Sequence, residues 1–213
     1  MVLKVYGTVT ANCERAALVL YEKELEFKLV KIDLTSRENR SPDYLAKAPF
    51  GQVPALDDDG FFLFGSQAIG RYIAEKYEGQ GTPLLGNTLT EKARINQWVE
   101  VEGQNFAPPA TAVAREYFIS STFKRPLNEE LIATQLEKLG KVLDIYDSHL
   151  SQNRYLAGDH YSLADLLHTP FLVILKNVTG EFMTSRQHVA AWCDDLASRT
   201  AFKKVLESKW DSE

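Results

Sequence analysis

The chain divides into an α/β domain followed by an all-helical one. Residues 1 to about 77 mix short strand patterns with helical ones, and from about residue 89 onward the pattern is helical throughout. Between them lies Glu78-Gly79-Gln80-Gly81-Thr82-Pro83, rich in residues that interrupt both kinds of element. The expected organisation is therefore a first domain over residues 1–78, a linker over 79–88 and a helical domain over 89–213.

In chain order, Leu3 to Tyr6 and Phe27 to Ile32 are strand-like and flank a helix near Asn12 to Glu24, which makes a βαβ unit. Pro54 to Leu56 and Phe61 to Phe64 form a hairpin across Asp57-Asp58-Asp59-Gly60, followed by a helix from Ser66 to Tyr77. The order βαβ then ββα is the thioredoxin-like arrangement. In the second domain, Ile132, Leu136, Leu139, Leu143, Tyr146 and Leu150 recur in steps of 4, 3, 4, 3 and 4, one apolar stripe along a helix. Ile95, Trp98, Glu102 and Phe106 repeat the spacing, with a charge at Glu102 on or beside the seam. Ser162-Leu163-Ala164-Asp165 reads as a helix cap that serves folding.

Composition narrows the function classes. At 213 residues and 45% hydrophobic content the chain can bury a core, and its formal net charge of −5 supplies no broad positive field for nucleic acid. No apolar run approaches the roughly 20 residues that span a bilayer, so no membrane insertion is expected. Cys13 and Cys193 lie far apart without metal-ligand spacing, which predicts no metal, no disulfide and a reducing, cytoplasmic setting. The start, Met1 to Gly7, alternates like a strand and not like a secretory signal.

Pro49-Phe50-Gly51-Gln52-Val53-Pro54-Ala55-Leu56, followed by Phe64-Gly65-Ser66-Gln67, is the most informative stretch. Pro54 holds Val53 extended, and a cis Val53-Pro54 bond would turn the amide and carbonyl of Val53 toward a partner instead of toward the sheet. Ser66 stands where an N-cap belongs, so its hydroxyl and the free amides behind it form a nest for a carboxylate. The pattern is that of a site gripping a peptide-like ligand by its backbone.

PFGQVPAL, the helix GS-x-AI-x-RYIAEKY, then GTPLLG, LEKLGKVLDIY and NRYLAGDHYSLADLLH follow one another along nearly the whole chain, and together they resemble plant phi-class glutathione S-transferases. The resemblance implies glutathione as co-substrate, with no tightly bound cofactor, and a homodimer that pairs the first domain of one subunit with the second of the other; Phe50, an aromatic at a loop tip, either anchors that contact or packs within its own subunit. It implies that Gln52 and Val53 meet the cysteinyl backbone, and that Asn39 and Arg40 stand where a His-Lys pair approaches the glycyl carboxylate. Arg15 matches a basic residue on the first helix that supports structure.

Two positions depart from the family. The serine that stabilises the thiolate falls four residues after Gly7, at Ala11, which has no donor. A thiol with a pKa near ~8.5 is only a few per cent ionised at neutral pH, and the lost hydrogen bond to a charged group is worth about 1.5–3 kcal/mol. Amides near Asn12 and Cys13 remain, and Thr10, Asn12 and Cys13 are the substitute side chains within reach. Cys13 is two positions late for the cysteine-type transferases, which disfavours thiol-disulfide exchange. The second departure is Gly65, where the family has a glutamate before Ser66 that meets the γ-glutamyl end. Gln67 stands where the family carries arginine, and consecutive helix positions point apart.

The resemblance also implies an electrophile site between the domains, against the helix beginning near Leu89. Phe106, Pro108, Pro109, Tyr117, Phe118 and Phe123 are its candidate wall, about half of them assigned to packing. Two readings follow: a transferase with weakened activity toward small hydrophobic electrophiles, or a ligandin that carries flavonoid-like compounds with little or no turnover. Val9-Thr10-Ala11-Asn12-Cys13 is similar to phi-class members linked to anthocyanin transport, which also have alanine there.

Overall fold

A computed structural model describes residues 2–210. By compactness the chain forms two units, one of residues 1–85 together with 198–213 and one of residues 86–197.

The first unit is built on a four-stranded sheet in the order β2-β1-β3-β4. Strand β1 (Leu3–Gly7) runs parallel to β2 (Phe27–Lys31), and helix α1 (Ala11–Glu22) connects them. Strand β3 (Ala55–Asp58) is antiparallel to β1 and to β4 (Phe61–Phe64). The sequence suggested a turn over Asp57 to Gly60, but Asp57 and Asp58 pair with Phe62 and Phe61. Low strand propensity of aspartate yields here to cross-strand pairing, and only Asp59 and Gly60 make the turn. Their φ angles of 57° and 87° are those of a two-residue type I′ hairpin.

α1 begins one residue before the expected start and stops two before the expected end. Glu24, at φ 52°, takes the left-handed conformation that terminates helices. The sheet covers a cluster of Tyr6, Val30, Ile32 and Ala55 beneath Tyr44 of α2 (Pro42–Leu45) and Ala48. Helix α3 (Ser66–Lys76) follows β4 and lies against α1. The unit is completed by α10 (Thr200–Glu207), which lies on α1. There Arg199 grips the buried Glu22 with two nitrogens at 2.6 and 2.9 Å, and Tyr21 and Ser208 hydroxyls meet at 2.8 Å. The expectation of a single domain over 89–213 put these last residues with the helices before them, for no spacing in the sequence announces a partner 177 residues away.

The second unit is helical: α4 (Leu89–Val101), α5 (Ala107–Phe123), α6 (Glu129–Leu150), α7 (Leu163–Thr179), α8 (Glu181–Thr184) and α9 (Gln187–Ser198). Leu139, Leu143, Tyr146 and Leu150 of the α6 stripe are buried, while Ile132 and Leu136 are half-buried. Asp165 accepts from the backbone and hydroxyl of Ser162, the cap read from the sequence, and also from the Leu156 amide and the Trp192 indole. The Ile95 to Phe106 spacing does not continue as one α-helix. Residues Glu102–Phe106 form a π-helical turn, and Pro108 and Pro109 then fall in the first turn of α5, where a missing amide hydrogen costs nothing. Among the described residues no helix is long and apolar enough to cross a membrane.

Candidate functional site

Register brings three chain segments to one edge of the first unit. Tyr6 of β1 pairs with Ala55 of β3, which pairs with Phe64 of β4, so these residues form one row across the sheet. β1 and β4 run in the same direction, and both end at that row. The starts of α1 and α3 therefore lie beside each other, with the Gln52-Val53-Pro54 approach to β3 between them. Open α/β sheets bind ligands outside the carboxyl ends of their strands, and two helix amino ends here turn their unpaired amides to that edge.

At the start of α1, Thr10 is the N-cap and its hydroxyl oxygen accepts from the Cys13 amide at 3.4 Å. Ala11 is buried, at 5% exposure. Cys13 has no exposed surface, and its sulfur lies so close to Gly7 that a Cβ there would sit 2.5 Å from it, with the Trp210 ring 3.3 Å away. Burial pushes the Cys13 thiol up to about 12, against the opposing pull of the Thr10 hydroxyl, so at neutral pH it is a buried, protonated thiol and not a nucleophile. Burial also lifts Glu14 to about 7.

Asn12 behaves differently. Its Oδ1 accepts from Arg15 Nη1 at 3.1 Å and from the Ser66 hydroxyl at 3.4 Å. Arg15 is itself buried, so its reading as a supporting residue acquires a definite object.

Ser66 is not the N-cap of α3. It is the first helical residue, Gly65 is the cap, and no side chain caps the helix. Gly65 has φ 86° and ψ 117°, a backbone that residues with a Cβ rarely adopt, and a Cβ built there meets nothing within 4 Å. Freed from capping, the Ser66 hydroxyl turns to Asn12. The Val53–Pro54 bond is cis.

Asn39 and Arg40 lie in the 3₁₀ turn Glu38–Arg40 before α2. Asn39 donates to the Gly51 carbonyl at 2.7 Å and Arg40 Nη1 to the Phe50 carbonyl at 3.0 Å, so both brace the Phe50-Gly51 turn. Gly51 has no room for a side chain, since a Cβ would lie 2.7 Å from the Asn39 carbonyl. Arg40 is exposed, with nitrogens to spare for a carboxylate. Sequence reasoning missed Tyr44, whose hydroxyl donates to the Gln52 carbonyl at 2.9 Å and fixes that segment from beneath. It also missed Trp210 over Gly7, for which no signal existed.

The proposed wall residues occupy varied places in the second unit. Phe106 is fully buried, stacked on Tyr146 at 6.1 Å and beside His168 at 4.7 Å, and Pro109 is buried too. Tyr117 donates to the Val178 carbonyl at 3.1 Å, whereas Phe118 and Phe123 are exposed. Tyr117 is half-buried, and Pro108 at the start of α5 is exposed as well.

Comparison with known proteins adds a family to this geometry. The glutathione S-transferase N-terminal domain matches residues 1–75 and the corresponding C-terminal domain matches residues 110–200. The chain belongs to the glutathione S-transferase family, with a thioredoxin-like first domain and a helical second one. Within that family it is similar to the plant phi class. It is 44% identical to glutathione S-transferase F10 of Arabidopsis thaliana over 96% of both chains. The crystal structure of glutathione transferase F7 from Populus trichocarpa superposes with a TM-score of 0.93 at 43% identity, over 97% of this chain and 98% of that one. Glutathione S-transferase I from maize, solved in complex with an atrazine glutathione conjugate, gives 0.86 at 34% identity over 97% of both chains.

Proposed function

We propose that this protein is a glutathione transferase that joins the glutathione thiol to small hydrophobic electrophiles, with a weaker hold on the thiolate than its relatives have. The observation that carries the reading is the 3.4 Å approach of Ser66 to Asn12, where the starts of α3 and α1 meet. Amides of α3 receive the γ-glutamyl carboxylate, and the Ser66 hydroxyl turns from its long contact with Asn12 to that stronger, charged acceptor. Gln52 and Val53 meet the cysteinyl backbone, and Arg40 beside Asn39 meets the glycyl carboxylate. The sulfur lies at the start of α1. There the thiol loses its proton to solvent, the anion forms a carbon–sulfur bond with the electrophile, and chloride or another leaving group departs with the bonding pair. The glutathione conjugate bound by the maize relative supports this reaction class.

Ala11 and Gly65 lie behind the word weaker. Neither supplies the hydroxyl or carboxylate that the family uses, and each loss costs about 1.5–3 kcal/mol of charge-assisted contact. The same two residues favour a second reading, a ligandin that holds flavonoid-like compounds without turnover. Retention on immobilised glutathione, followed by conjugation of a chlorinated dinitrobenzene against a blank, separates the two. A transferase is retained and exceeds the blank. A protein that is neither retained nor active, yet shows saturable quenching of its tryptophans, including Trp98, by a flavonoid at low micromolar concentration, is a carrier. The protein acts in the cytoplasm as a homodimer without a resident cofactor.

A further inference from the structure

Thr10, Ala11, Asn12 and Cys13 all stand at the start of α1, and the structure separates them. Ala11 has no donor, and Cys13 is sealed beneath Gly7 and Trp210. The Thr10 oxygen is directed down its own helix to the Cys13 amide. Asn12 is the one tied across to the start of α3, through Ser66.

The chemistry of that tie fixes which way the carboxamide points. An arginine guanidinium carries donors and no acceptor, so the Asn12 atom 3.1 Å from Arg15 Nη1 must be the oxygen. The Ser66 hydroxyl donates to the same oxygen. The amide nitrogen is then on the far side of the group with its hydrogens unclaimed. With its oxygen held by Arg15, and at longer range by Ser66, the carboxamide presents a directed donor in the field of the helix amino end.

We infer that Asn12 is a catalytic residue of this transferase, its Nδ2–H meeting the glutathione sulfur in place of a serine hydroxyl, with Arg15 as the positioning residue that aims it and Ser66 sharing that hold only until glutathione binds. The inference rests on the transferase reading and names the group that this reading leaves open. When Ser66 turns to the γ-glutamyl carboxylate, Arg15 still holds the amide oxygen. Asn12 compensates for part of what Ala11 lacks.

The test is a titration of glutathione bound to the intact protein, followed by thiolate absorbance in the ultraviolet, for the natural chain, Asn12→Asp and Asn12→Ala. Alanine removes the donor without adding charge, whereas aspartate keeps an oxygen for Arg15 and Ser66 but sets a carboxylate beside the sulfur, so the donor is read from Asn12→Ala and the like-charge effect from the further shift in Asn12→Asp. Both variants are expected to raise the pH at which the bound thiol ionises by about one unit or more, cutting the thiolate fraction near neutral pH roughly tenfold. kcat/KM for the chlorinated dinitrobenzene falls in step, while glutathione affinity measured by calorimetry stays within a few-fold. If glutathione binds and its thiol ionises at the same pH in the natural chain and Asn12→Ala, the inference is overturned and the transferase reading stands. If the natural chain binds no glutathione, both fall.

Discussion

Gly65 holds a left-handed backbone with open space where a side chain would project. Gly65→Glu, which restores the family's carboxylate, therefore has two effects of opposite use. It costs about 1–3 kcal/mol of stability through the positive φ, read as a lower urea midpoint, and it tightens glutathione binding by roughly tenfold or more. Unchanged binding would mean that the γ-glutamyl end does not reach Gly65. Cys13 makes a simpler case. Burial lifts both thiols, to about 12 at Cys13 and about 11 at Cys193, so neither is expected to react with iodoacetamide in the folded protein at pH 8, with full labelling in denaturant. Labelling of Cys13 in the native state would reopen it as a functional group. The sequence offered Thr10 and Asn12 as neighbouring donors and Cys13 mainly as a packed residue, with nothing to separate the first two. What divides them is the direction each side chain takes, and direction depends on Arg15 and Ser66, three and 54 positions away.

At the level of elements, caps and turns were the most readable features, because they depend on neighbours in sequence. The Ser162–Asp165 cap is where the spacing put it, yet its larger role was hidden. Asp165 also gathers the Leu156 amide and the Trp192 indole, which join it from other segments of the second unit. Asp165→Ala leaves those donors buried without an acceptor, each costing about 1–3 kcal/mol, and a loss above ~3 kcal/mol in urea unfolding is expected. A loss under 1 kcal/mol would show that water replaces the carboxylate. The start of α3 went the other way. Serine before an apolar run signals a cap, but the glycine before it takes that place, and the hydroxyl is released to the site. Likewise the Ile95 to Phe106 spacing gave no marker for the π-helical turn that buries Glu102 and Phe106.

On the scale of the whole molecule, the βαβ unit and the hairpin of the sheet were legible, whereas the docking of α10 on α1 was not. It rests on the contact of Arg199 with Glu22, which sequence distance conceals. Protonation adds a global signature. Burial raises Glu14 from 4.5 to about 7, so the folded chain binds more protons than the unfolded one between those values. The contribution of Glu14 to stability is full below pH ~4.5 and is lost as pH rises through 7. Glu14→Gln is therefore expected to match the natural chain at pH 5 and exceed it in stability at pH 8; a difference that does not grow with pH would count against this. Phe50, 68% exposed, is the proposed dimer anchor, and Phe50→Ser should shift the protein toward monomer in light scattering, unless the contact lies elsewhere.

All of this converges on a single spot at the amino end of α1. A crystal structure of the protein with glutathione tests it most directly. The sulfur should lie within hydrogen-bonding reach of Asn12 Nδ2, with the γ-glutamyl carboxylate on Ser66 and the amides of α3. A sulfur held by Thr10 or another hydroxyl, or a tripeptide seated away from the row of Tyr6, Ala55 and Phe64, would contradict the account.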